Sequence, residues 1–103
     1  MDRLKMLEDF VAAKPDDPFP RYGLAMEHKN RGDLSAARGV FAELVDKFPD
    51  YVATYLMYGN TLAELGESEQ ARATYQAGLE VANKAGDGHT ASELQTALAE
   101  LRP

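Results

Sequence analysis

The chain repeats itself with a shift of 34 residues, and this period constrains its fold more than any other feature. Each copy contains a proline–acidic pair, a bulky residue before a small one, a glycine–acidic pair and an alanine–arginine pair. The matching pairs are Pro15-Asp16 with Pro49-Asp50, Leu24-Ala25 with Tyr58-Gly59, Gly32-Asp33 with Gly66-Glu67, and Ala37-Arg38 with Ala71-Arg72. A fixed period of this length predicts stacked helical units that bury their apolar faces against one another. Arrays of this kind usually hold another molecule on a surface, so the period favours a binding function.

Composition argues against several other classes of function. The 103 residues, 45% hydrophobic and 27% charged, are typical of one small globular domain. The 17 acidic and 11 basic residues give a net charge of -6, which argues against binding to nucleic acid or anionic lipid. Because the chain has no cysteine and no His-x-x-x-His spacing, we expect no metal and no cofactor. No apolar run reaches signal-peptide or membrane-helix length, so we expect a cytoplasmic protein.

Proline and glycine divide the chain into six predicted helices. Their approximate ranges are 2–14, 19–31, 33–48, 51–65, 68–85 and 89–101. Either Asp87 or a Thr90–Glu93 capping box begins the last of them. Since every connection is short, neighbouring helices must run antiparallel.

These residues resemble the tetratricopeptide repeat, a helix–turn–helix unit of 34 residues. The resemblance carries two full units, 18–51 with Leu24-Ala25, Gly32, Ala37, Phe41 and Pro49, and 52–85 with Tyr58-Gly59, Gly66, Ala71 and Tyr75. Residues 1–17 are similar to half a unit and residues 86–103 to a terminal capping helix, within one domain spanning 1–103. The resemblance implies an all-α fold, in which antiparallel helical hairpins stack as a short right-handed α-solenoid of about six helices.

Four positions depart from the pattern of the family. Arg21 stands where the family has a bulky apolar residue, and His28 where it has an aromatic residue. Gly78 stands where the family has alanine, and Asn83 where it has proline. From helix propensity we expect Gly78 to loosen the fifth helix by up to about 1 kcal/mol relative to alanine.

In this family the first helix of each unit lines a concave groove that binds peptides or other proteins. The resemblance assigns nine residues to that groove: Phe19, Tyr22, Met26, Lys29 and Asn30 on the second helix, and Ala53, Leu56, Met57 and Asn60 on the fourth. Tyr22, Met26 and Leu56 lie outside the predicted core stripes, which favours an apolar or helical peptide as partner. Some grooves of the family grip a terminal carboxylate with Lys and Asn. The matching places here hold Tyr22, Met26 and Met57, which does not support that chemistry.

Two alternatives stay open. In the first, the three apolar residues pack locally under the last helix and leave no open groove. In the second, the chain is a self-assembling homodimer, because Met6, Phe10 and Ala13 widen the apolar face of the opening helix. We predict no enzyme, since the sequence carries no catalytic motif and predicts no pocket around its acidic pairs.

Overall fold

In a computed structural model, residues 2–101 of the chain are described, and they form six α-helices with no strand among them. The helices are α1 (Arg3–Ala13), α2 (Pro18–Asn30), α3 (Leu34–Lys47), α4 (Ala53–Glu64), α5 (Ser68–Ala85) and α6 (Gly88–Glu100). The predicted fold class, an all-α solenoid of helical hairpins, is confirmed. Met1 of the predicted half unit and Arg102 and Pro103 of the predicted capping helix lie outside the described residues.

Aspartate carboxylates begin four of the six helices. Asp2, Asp17, Asp33 and Asp87 each accept a hydrogen bond from a backbone N–H in the first turn of the helix that follows. Such a cap contributes about 1 kcal/mol because it pairs an N–H group that has no partner inside the helix. Of the two caps that the sequence offers for α6, the structure has Asp87, whose carboxylate accepts hydrogen bonds from both the backbone N–H and the hydroxyl of Thr90.

The turns inside the two full units are built alike. Gly32 and Gly66 have φ angles of +82° and +81°, in the left-handed region that favours glycine. Each turn ends the first helix of its unit and sends the chain back along it, so the hairpins are antiparallel as predicted.

The helices form two layers. Every helix packs on the next one along the chain, and α4 also packs directly on α6. An inner layer therefore consists of α2, α4 and α6, and an outer layer of α1, α3 and α5. Two buried clusters fill the space between the layers, one around Phe41 and Leu44 and the other around Leu62 and Leu94. Tyr58 contacts both clusters, and its ring stacks on that of Phe41 with centroids 5.9 Å apart.

Arg21 in the first unit and Tyr55, at the matching position 34 residues later, each donate a hydrogen bond to the carbonyl of the proline six residues before them. Arg21 Nη1 donates a hydrogen bond of 2.8 Å to the carbonyl of Pro15, and the Tyr55 hydroxyl donates to the carbonyl of Pro49. Only 8% of Arg21 is exposed, and its guanidinium carbon lies 5.9 Å from the centre of the Phe48 ring. A flat cation over an aromatic ring thus replaces the expected apolar side chain without breaking the repeat.

Gly78 lies at a close crossing between α5 and α4. A Cβ atom added there would come within 2.9 Å of Tyr55 Cγ and closer still to Tyr55 Cβ. Real Cβ atoms essentially never approach another atom so closely. The prediction from helix propensity, a looser helix at Gly78, does not include this contact with Tyr55. The contact excludes a larger residue from position 78.

Candidate binding groove

The sides of α2, α4 and α6 that turn away from the outer layer form one surface, which we call the groove. Its α2 and α4 walls are joined by an ion pair, in which Lys29 Nζ lies 2.8 Å from Glu64 Oε1. The Lys29 side chain is only 16% exposed. The predicted groove residue Lys29 is thus held against Glu64, and its charge is neutralised within the groove itself.

The part of the groove on α2 is largely filled by its own side chains. Tyr22 is half-buried, and its ring lies edge-on to the rings of Phe41 and Tyr51, with centroids 6.4 and 5.9 Å away. Burial is also the main reason why the pKa of the Tyr22 hydroxyl is raised. Met26 and Met57 pack against the same buried cluster as Tyr22. These three predicted groove residues therefore serve the core as well as the surface.

Three other predicted residues lie at the ends of the groove. Phe19, near the start of α2, is 69% exposed. Asn30 and Ala53 are also exposed, at the last position of α2 and the first position of α4. None of the three lines the depression that Leu56 and Asn60 share.

The open part of the groove is a cleft between α4 and α6, with a volume of about 340 Å³. We call it the α4–α6 cleft, and its lining consists of Leu56, Asn60, His89, Ser92, Glu93, Thr96, Ala97 and Glu100. A second depression of about 300 Å³ shares Asn60, Ala97 and Glu100 with it and continues towards Tyr75. Of the nine residues predicted for the groove, Leu56 and Asn60 are the two that the structure brings together in this cleft.

Asn60 is oriented by a hydrogen bond from outside the cleft. The Tyr75 hydroxyl donates to Asn60 Oδ1 over 2.6 Å. Because the amide oxygen is engaged in this way, the amide nitrogen is the atom left to donate to a bound chain. The pKa of the Tyr75 hydroxyl is raised, first by burial and then by the nearby carboxylates of Glu64 and Glu100.

The wall contributed by α6 is absent from the predicted groove. Ala91 and Leu94 are buried on one side of α6, as the predicted capping helix requires. On its other side Glu93, Thr96 and Glu100 are exposed and face Leu56 and Asn60 across the cleft. A signal for this wall exists in the period, since α6 follows α4 by about one repeat length and so takes the place of a third groove helix.

The described part of the chain contains neither a membrane-spanning helix nor a metal-binding group of side chains. None of the helices between residues 2 and 101 is both long and apolar enough to cross a membrane. Over the same residues, no three His, Asp or Glu side chains group closely enough to hold a metal ion.

Comparison with known proteins identifies relatives of this architecture. Residues 30–101 match the family model described as tetratricopeptide repeat. The crystal structure of a tetratricopeptide repeat domain protein from Salinibacter ruber is 43% identical in sequence. The match covers 82% of this chain and 94% of the chain in that structure, with a TM-score of 0.78. The solution structure of a tetratricopeptide repeat domain protein from the same organism is also 43% identical. The match covers 84% of this chain and 87% of the chain in that structure, with a TM-score of 0.79.

A more distant relative covers almost the whole chain. The solution structure of a protein from Bordetella parapertussis is 26% identical, covers 96% of this chain and 86% of its own, and has a TM-score of 0.81. No curated protein matches the chain.

Proposed function

The chain belongs to the tetratricopeptide repeat family, and we propose that it is a protein–protein interaction module whose groove holds an apolar or helical segment of another protein. Members of this family generally act as protein–protein interaction modules and non-enzymatic scaffolds. The observation that carries the proposal is the α4–α6 cleft, in which the half-buried Leu56 lies beside the oriented amide of Asn60.

The cleft combines the two kinds of contact that a peptide needs. Leu56 and Ala97 supply apolar surface for a side chain of the partner. The amide nitrogen of Asn60 can donate to a backbone carbonyl, which fixes the position of the bound segment without specifying its sequence. At about 340 Å³ the cleft lies near the lower end of the usual range for ligand sites, so it accommodates one or two anchoring side chains.

A matched pair of leucine substitutions tests the proposal. Leu56 and Leu79 are both half-buried and pack against the same core cluster, but Leu79 belongs to the outer helix α5. Peptides that bind the wild-type protein are selected from a displayed random library, and their affinity for each variant is measured by fluorescence anisotropy. We expect Leu56→Gln to weaken binding about tenfold or more, because a buried polar amide replaces the anchor contact.

Leu79→Gln is the control for destabilisation and is expected to leave the affinity within about twofold. The groove assignment is wrong if the two variants weaken binding equally, or if the selection yields no peptide that responds to Leu56→Gln. Tyr22 is unsuitable for this test because its ring packs against Phe41 and Tyr51.

A second candidate function, homodimerisation through α1, is favoured by one observation. Phe10 on α1 is 51% exposed, although a phenylalanine on a packed helix normally turns inward. A second copy that covered this face would remove the ring from water. Light scattering after size exclusion should then show a dimer that Phe10→Ser converts to a monomer. A monomer at the highest attainable concentration contradicts this candidate and leaves the groove proposal intact.

A further inference from the structure

Charge is distributed unevenly along the groove. On the α2 side, Lys29 and Glu64 neutralise each other. In the α4–α6 cleft, the carboxylates of Glu93 and Glu100 are both exposed. Among the residues between 2 and 101 that line the cleft, the basic group is His89, whose Nε2 lies 3.5 Å from Glu93 Oε1 and which carries charge only when protonated.

The two carboxylates lie at separate points along the cleft. Glu93 and Glu100 are two helical turns apart on α6, a rise of about 10 Å. Leu56 and Ala97 provide apolar surface in the same cleft. The cleft therefore offers apolar surface together with two separate negative charges.

We infer that the segment held in the α4–α6 cleft presents lysine or arginine side chains next to its apolar anchor, an inference that rests on the function proposed above. A long basic side chain fits this arrangement because its aliphatic stem can lie on Leu56 and Ala97 while its charged end reaches a carboxylate. The hydrogen bond between a cation and a carboxylate is stronger than one between neutral groups. The net charge of -6 adds a long-range attraction for such a partner.

Two pairs of glutamine substitutions separate the cleft from the overall charge. Glu93→Gln with Glu100→Gln removes the cleft carboxylates, whereas Glu8→Gln with Glu80→Gln removes two exposed carboxylates from the outer helices α1 and α5. Each pair changes the net charge from -6 to -4, since two negative charges are lost. All four side chains are exposed, so both variants are expected to fold.

The probe is a peptide that the wild-type protein selects from the random library. We expect the selected peptides to be enriched in Lys and Arg, and the cleft pair to weaken binding roughly five- to tenfold, as two partly exposed ion pairs would. The outer pair should change affinity by less than about twofold. Raising the salt concentration should weaken binding to the wild-type protein more than binding to the cleft pair.

The possible failures point to different conclusions. Peptides that depend on Leu56 but carry no excess of Lys or Arg overturn this inference and leave the proposed function standing. Equal weakening by the cleft pair and the outer pair also overturns it, because net charge then explains the effect. If no selected peptide responds to Leu56→Gln, the groove function fails and this inference fails with it.

Discussion

The same substitution, glycine to alanine inside a helix, should have opposite effects at two places in this chain. Gly39 lies in the interior of α3 and is exposed, and a Cβ added there would meet no atom within 4 Å. Gly78 lies in the interior of α5 and is buried, and a Cβ there would collide with Tyr55 and come within 3.2 Å of Leu94 Cδ1. The structure therefore predicts that Gly39→Ala stabilises the protein and Gly78→Ala destabilises it.

The magnitudes follow from two opposing terms. Alanine in place of glycine in a helix interior contributes about 0.5–1 kcal/mol through the lower entropy of the unfolded chain, and at Gly39 nothing opposes this gain. At Gly78 the same gain is offset by overpacking, which costs about 1–3 kcal/mol. The cost cannot be relieved by a flexible side-chain end, because the closest atom is Tyr55 Cβ, next to the α4 backbone. The difference between the two terms spans about 0 to 2.5 kcal/mol, and its centre is a loss of about 1 kcal/mol at Gly78.

Thermal and urea unfolding followed by circular dichroism measure both effects. For a domain of this size 1 kcal/mol corresponds to about 4–8 °C in Tm, so both shifts should be easily resolved. The Gly39→Ala variant serves as the internal reference for helix propensity. A Gly78→Ala variant that matches or exceeds the wild-type stability would contradict the close crossing of α4 and α5 at this position.

Further predictions concern polar contacts of the fold and are also measured by unfolding. Arg21→Leu should cost about 1–3 kcal/mol more than Arg21→Tyr, because only tyrosine can still donate to the Pro15 carbonyl; equal stabilities would contradict the shared role of the two residues. Asp33→Ala should cost about 1 kcal/mol through the lost helix cap, and an unchanged urea midpoint would contradict this. Hydrogen bonds from the backbone N–H and the hydroxyl of Thr90 hold the pKa of the Asp87 carboxyl below its ordinary value of 3.8. Because this pKa is lower in the folded than in the unfolded state, the ionised carboxylate stabilises the protein above the unfolded pKa, and the effect is lost as pH falls through the folded pKa. Between about pH 5 and pH 2, Asp87→Asn should therefore lose less stability than the wild type.

The fold is predictable from this sequence because its determinants are local and repeated. Glycine at the intra-unit turns and proline between the units interrupt the helical pattern at the same places in both copies, and each interruption acts through its own backbone. The capping aspartates likewise act within one turn of helix. Such signals need no knowledge of distant contacts, so the helix ranges agree with the structure to within one or two residues.

The details of the groove are less predictable because they depend on contacts between units. Tyr22 has the spacing of a surface residue, but its ring finds Phe41 and Tyr51 only after α2, α3 and the loop before α4 have come together. The role of Gly78 likewise depends on Tyr55 of another helix. To predict the cleft wall on α6, one would have to combine the 34-residue period with the fact that the polar side of this capping helix faces the groove.

Chemical-shift mapping shows directly whether the α4–α6 cleft holds a segment of another protein. A peptide selected by the wild-type protein is titrated into ¹⁵N-labelled protein, and the amide shifts of residues 2–101 are followed. If the cleft holds the peptide, the largest shifts fall on Leu56, the Asn60 side-chain amide and the cleft side of α6, and they saturate at the affinity measured by anisotropy. Shifts concentrated on α1 around Phe10, with Leu56 and Asn60 unmoved, would contradict it.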